Sequence, residues 1–226
     1  MFILAFESSA KPASVAVCSD ASLIGQYFQN SGLTHSQTLL SMAESLLRNL
    51  GMTTADFGLV AVARGPGSFT GVRIGVSAAK GIAWGADIPV CGVSTLEAMA
   101  RQTPEYGVIL CPVMDARRDQ VYNALFEWRE GAPMRLCEDR AISLDDLSDD
   151  LLKYEPPFLL VGDGAAICYE HLSASGVACR VAPELMRFQS AYGVALAALN
   201  GAASSAIELE PCYLRPSQAE RERERR

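Results

Sequence analysis

Four stretches carry residues that could do chemistry. Gly65-Pro-Gly-Ser-Phe-Thr-Gly-Val-Arg-Ile-Gly links an apolar run to a helical one. Its glycines permit unusual dihedrals and close backbone approach, and a helix N-terminus behind them offers free N–H groups to an anion. No Gly-Lys-Ser/Thr follows, so it is not a Walker A loop. The same residues would equally make a rigid turn into a tightly packed helix, and both readings stand. Glu7 and Asp115 each close an apolar strand. Facing one cleft, they could hold a magnesium nucleotide; acids also commonly follow strands. Asp115-Ala-Arg-Arg-Asp-Gln-Val-Tyr could bind phosphate or magnesium, or pair with itself at a hairpin. Gly162-Asp-Gly opens another helix but is too short to specify adenine binding. Gly162 and Gly164 join Glu7 and Asp115 as the cleft candidates.

No catalytic residue emerges. There is no Gly-x-Ser-x-Gly elbow and no evident Cys–His pair, which argues against a protease. The histidines are His35 and His171, and a metal site usually adds a second His one turn on; positions 38 and 39 are Thr and Leu. His35 reads as a capping or interface residue. No metal and no cofactor of the chain's own is expected.

These residues need elements to hold them. Phe2–Glu7, Ser14–Cys18 and Leu23–Gln29 read as three strands joined by turns. Leu39, Leu40, Ala43, Leu46, Leu47 and Leu50 form one helix face, stopped by Gly51. A strand over Phe57–Ala63, a helix over Thr70–Gly85, a strand over Ile88–Val93 and a helix over Ser94–Gln102 follow. From Tyr106 the order repeats. Strands cover Val108–Met114, Gln120–Trp128 and Met134–Ile142. Then come a helix over Leu144–Lys153, a strand over Phe158–Val161, a helix over Ala165–Ser173, a strand over Val177–Val181 and a long helix over about 188–206. Both halves read β-β-β-α-β-α-β-α, an internal repeat of a whole subdomain. That order resembles the two-lobed actin/Hsp70-like (ASKHA) α/β fold, built from tandem ribonuclease H-like units. The expected boundaries are 1–104 and 105–216, with a charged tail at 217–226; the last helix could pack back on the first lobe.

Gly71, Gly75, Ala78 and Gly85 lie near one stripe of the second helix. Several glycines in one helix call for close packing, because each costs about 1 kcal/mol against alanine. Part of the stripe is expected to face inward and part an interface.

The chain has 226 residues, 50% hydrophobic and 20% charged, with net charge −7, so it can bury a real core, and the charge argues against wrapping nucleic acid by phosphate neutralisation while leaving room for a minor role beside RNA. Its seven cysteines show no CxxC spacing and mostly occupy apolar segments, which reads as reduced core residues of a cytoplasmic protein. The start has no basic leader region. The uncharged stretch Phe188–Ile207 contains Gln189, Asn200 and three serines, so it reads as a buried helix and not a membrane span.

Taken together, Ile3-Leu-Ala-Phe-Glu-Ser-Ser, the His35 helix, the glycine-rich block, the Asp115 block and Tyr213-Leu-Arg resemble the bacterial TsaB (YeaZ) family over almost the whole chain. That resemblance implies a role in making N6-threonylcarbamoyladenosine at tRNA position 37. It implies a non-catalytic partner of the metal-bearing TsaD-family transferase, joined by a TsaE-family ATPase, with tRNA met only through the complex. A homodimer through the same helices, and a nucleotide at the subunit junction, stay open. The transferase pattern has His-x-x-x-His on the first helix, where this chain has His35 and Leu39. The family's usual start has Asp before Thr-Ser, where Glu7-Ser8-Ser9 stands here. Carried over residue by residue, the interface candidates are His35, Met42, Gly71, Arg73, Gly75, Ser77 and Ala78. The alternative function is an autonomous Mg-ATP-dependent phosphotransferase using Glu7 and Asp115.

Overall fold

The computed structural model describes residues 1–215; the charged run 217–226 lies outside the described residues. The first half contains β1 (Phe2–Glu7), β2 (Ala13–Ser19), β3 (Ser22–Gln29), α1 (His35–Leu50), β4 (Leu59–Gly65), α2 (Phe69–Ala86), β5 (Val90–Ser94) and α3 (Thr95–Arg101). The strands form one sheet in the order β3-β2-β1-β4-β5. β1 is central, antiparallel to β2 and parallel to β4. Its near-continuous apolar sequence suits a strand covered on both faces. Leu4 and Phe6 point to one side, under α1 and α2; Ile3 and Ala5 point to the other. Each fully buried side chain of the size of Leu4 or Phe6 contributes about 1.5–3 kcal/mol.

α1 buries Leu39, Met42, Ala43 and Leu46 and ends at Gly51, whose left-handed φ of 66° lets its N–H close back on the helix. Leu40, expected on that face, is 55% exposed instead.

The second half contains β6 (Ile109–Asp115), β7 (Gln120–Asn123), β8 (Phe126–Arg129), β9 (Ala132–Arg135), β10 (Arg140–Ser143), α4 (Leu144–Leu151), β11 (Phe158–Val161), α5 (Ala165–Ala174), β12 (Cys179–Val181), α6 (Glu184–Arg187) and α7 (Ala191–Ala198). Its sheet runs β10-β7-β6-β11-β12, the same order as the first, with a β8–β9 hairpin added beside β6. The chain is therefore an α/β protein of the two-lobed actin/Hsp70-like fold.

Two expected strands are each divided. Gln120–Trp128 becomes β7 and β8, and Met134–Ile142 becomes the ends of β9 and β10. The first division falls opposite Pro112, which has no N–H to give to a ladder. β6 pairs with β7 over Val113–Asp115 and with β8 over Ile109–Leu110, and the ladder breaks between. The buried Asn123 amide fills the gap by donating to the carbonyls of Pro112 (3.1 Å) and Ala124 (3.0 Å).

The long helix expected over about 188–206 is also shorter. α7 has eight residues, and Ser204 instead exchanges backbone hydrogen bonds with Val90 of β5. α7 packs against β1, β2, β4 and α3. Gly193 permits this, since a Cβ there would stand 2.3 Å from the Ala98 carbonyl oxygen. α3 also touches the second sheet: Leu96, Met99 and Ala100 share an apolar cluster with Leu110, Phe126 and Leu159. Among the described residues, no helix is long and apolar enough to cross a membrane.

Candidate functional site

The loops that follow β1, β4, β6 and β11 meet in a cleft of about 860 Å³. Ser9, Lys11, Ser68, Asp115, Arg117 and Asp163 contribute its polar lining. Asp115 accepts the Arg117 backbone N–H at 2.7 Å and lies 3.8 Å from its guanidinium, so the Asp-Ala-Arg-Arg block largely pairs with itself.

Glu7 does not face this cleft; it is fully buried. The loop after β4 folds directly onto the loop after β1 and seals it. The Ser68 N–H donates to the Ser9 carbonyl at 2.6 Å, and a Cβ on Gly67 would stand 2.5 Å from that oxygen. One Glu7 oxygen accepts the Ser9 N–H at 2.6 Å, while the other has no hydrogen-bond partner. Burial pushes the Glu7 carboxyl up to about 7, and the neighbouring Asp163 charge adds to the rise. Asp163 is itself pushed up, by burial first; a bond from the Gln189 amide at 3.0 Å opposes that rise. This arrangement does not fit a magnesium nucleotide held through Glu7. Its carboxylate is covered, and ionising it at neutral pH costs free energy.

Gly162 and Gly164 serve packing. A Cβ on Gly162 would lie 2.0 Å from the Val113 carbonyl oxygen, and one on Gly164 would lie 3.1 Å from the Asp115 nitrogen. Both glycines are spent on close approach to β6. Among the described residues, no group of three or more His, Cys, Asp or Glu could hold a metal ion. The described cysteines are all free, and burial pushes the Cys168 thiol up to about 12 and Cys18 up to about 11, far from nucleophile range.

The remaining candidates lie on α1 and α2. Met42 belongs to the core, and Gly71 and Gly75 are buried against Ser8. A Cβ on Gly71 would stand 2.1 Å from the Ser8 carbonyl oxygen, and one on Gly75 would stand 2.5 Å from the Ser8 hydroxyl. All three face the inside of the chain: Met42 belongs to the core under α1, and Gly71 and Gly75 lie on the inner small-residue stripe of α2 that seats the end of β1. His35 is half-buried and donates from Nε2 to the Ala10 carbonyl at 2.7 Å, leaving Nδ1 buried without a partner. Arg73 and Ser77 are exposed and Ala78 is half-exposed. With Thr70, Gly81 and Trp84, Arg73 and Ser77 form the outer stripe of α2. Trp84 is 79% exposed, and a Cβ on Gly81 or Gly85 would meet nothing within 4 Å.

One cluster escaped the sequence reading. Tyr213 stacks on Phe69 at 4.5 Å, its hydroxyl accepts from Arg73 Nε at 2.7 Å, and the Arg73 guanidinium lies 3.9 Å over the Phe69 ring. Tyr213 lies 140 positions from Arg73, so no local spacing could signal the pair.

Comparison with known proteins gives consistent matches. A family model described as TsaD, tRNA N6-adenosine threonylcarbamoyltransferase, matches residues 29–215. The tRNA threonylcarbamoyladenosine biosynthesis protein TsaB of Bacillus subtilis is 34% identical over 74% of this chain and 73% of its own length. The protein of the same name from Haemophilus influenzae is 31% identical over 94% of this chain and 93% of its own. The structure of YeaZ from Pseudomonas aeruginosa superposes with a TM-score of 0.76 at 25% identity, covering 94% of this chain and 99% of that one. At the level of fold alone, component A of the Acidaminococcus fermentans (R)-2-hydroxyglutaryl-CoA dehydratase aligns with a TM-score of 0.52 at 11% identity, over 89% of this chain and 97% of that one.

Proposed function

The chain belongs to the TsaB family of tRNA threonylcarbamoyladenosine biosynthesis proteins, and on that premise we propose that it acts as a non-catalytic scaffold in that synthesis. It docks a TsaD-family transferase on the outer faces of α1 and α2, holds that subunit in working shape, and helps recruit a TsaE-family ATPase. The observation that carries this reading is the outer stripe of α2. Ser77 and Gly81 present a small-residue surface beside the exposed Trp84, which suits close approach of another helix followed by aromatic burial. Without its partner, the same stripe is available for self-association. The sealed Glu7 fits a subunit that leaves catalysis to its partner, and a net charge of −7 fits one that leaves tRNA binding to it.

Size-exclusion chromatography of the chain mixed with a TsaD-family protein tests the docking. One co-eluting peak is expected, and Ser77→Arg should weaken the complex about tenfold or more by steric and charge conflict. Its thermal stability should stay within about 0.5 kcal/mol of the parent, because Ser77 is exposed. Two unshifted peaks with the parent chain would sink the proposal.

A further inference from the structure

The last described residues cross the molecule. Lys80 Nζ donates to the carbonyls of Ile207 (3.1 Å) and Leu209 (3.0 Å), and Leu209 is 4% exposed in the core beneath α2. The Cys212 N–H then donates to the Arg64 carbonyl at 2.6 Å, at the end of β4. Gly65 makes room for this crossing, since a Cβ there would stand 2.3 Å from the Cys212 carbonyl oxygen. Tyr213 sits on Phe69 and Arg73 of α2. Two residues later Arg215 donates to the Ala116 carbonyl at 2.9 Å, just beyond β6 in the second sheet. Cys212, Tyr213, Leu214 and Arg215 thus form one wall of the cleft.

We propose that residues 210–215, rooted at the buried Leu209, are a releasable strap along one wall of the cleft, clasped at Tyr213, and that a partner seated on the Arg73 side of α2 opens it. The anchoring is uneven. The root at Leu209 is buried, whereas Tyr213 is 40% exposed and Arg73 is exposed. Beyond the root, the contacts that hold the strap include the exposed Phe69–Tyr213 stack, the Arg73 bond, the Cys212 N–H to Arg64 and the Arg215 bond to Ala116, and local contacts of this kind can open while the fold stays intact. Arg73 stands on the outer stripe of α2, so a partner carboxylate or carbonyl that takes its guanidinium competes with the Tyr213 hydroxyl. The coupling half of this proposal rests on the docking reading above; the clasp itself does not.

Iodoacetamide labelling of Cys212 in the full chain, read by peptide mass spectrometry, tests both halves. Tyr213→Ala should speed Cys212 labelling about tenfold, with the other thiols unchanged. Tyr213→Phe keeps the stack and loses only the hydrogen bond, so it should give an intermediate rate even if the alanine variant folds poorly. Equal rates in the parent and Tyr213→Phe chains, with no gain in a folded Tyr213→Ala chain, overturn the clasp. Saturation with a TsaD-family protein should also speed Cys212 labelling. A complex that forms with Cys212 slowed or unchanged overturns the coupling and leaves the docking reading intact. Failure to form any complex removes the docking reading and the coupling with it, while the two Tyr213 variants decide the clasp alone.

Discussion

Glu7 carries an acid where no solvent or counter-charge reaches it. Burial holds its folded pKa at about 7 against 4.5 for an ordinary glutamate. The unfolded chain therefore releases this proton at lower pH than the folded one. Between pH 4.5 and 7 the folded state binds more protons, so its stability falls as pH rises through that window and levels off above it. The full difference is about 3 kcal/mol. Glu7→Gln should remove it: the variant is expected to melt higher than the parent at pH 8 and to lose that advantage at pH 5. Thermal melts at the two pH values decide it, and an equal destabilisation at both would show that Glu7 is not protonated by burial. The acids closing β1 and β6 were legible in the sequence as a pair. What was not legible is that Gly67 and Ser68 close over one of them, because that contact joins loops about 60 residues apart. Asp163 and Gln189 were missed for the same reason, as were Phe69 and Arg73 as partners of Tyr213.

At the scale of elements, α2 is one helix with two uses. Its inner glycines seat Ser8, and its outer ones face open space. Gly75→Leu is therefore expected to destabilise the fold by about 1–3 kcal/mol or more through overpacking. Gly81→Ala is expected to stabilise it by up to about 1 kcal/mol through helix propensity. Denaturant titration of both variants reads the contrast directly, and similar midpoints would contradict the assignment of faces. Gly193→Val should unfold the α7–α3 contact, because its Cβ meets backbone that cannot step aside; loss of the cooperative melt is the expected readout. The small-residue spacing of α2 was readable in the sequence, but which small residue faces inward depends on where β1 ends. Pro112 was a readable signal for the divided ladder of β6. The shortening of α7 had a fainter one, Asn200-Gly201, because the Val90–Ser204 pairing that replaces its last turns is long-range.

For the whole molecule, the repeated order of strands and helices was legible because each half carries its own alternation of buried runs and turns. Most of the described residues lie in two sheets and the helices that cover them. Among the surfaces the chain leaves exposed is the outer stripe of α2, and what it seals is an acid at the strand end where the cleft would need one. The scaffold account joins these two facts. Its most direct test is a reconstituted tRNA modification reaction with threonylcarbamoyl-AMP, tRNA, a TsaD-family transferase, a TsaE-family ATPase and this chain, omitting one protein at a time. Threonylcarbamoyl-tRNA should form only when transferase and chain are both present, should not form with the chain alone, and should fall about tenfold or more with Ser77→Arg. Full modification by the transferase without the chain, or any modification by the chain alone, would contradict the account.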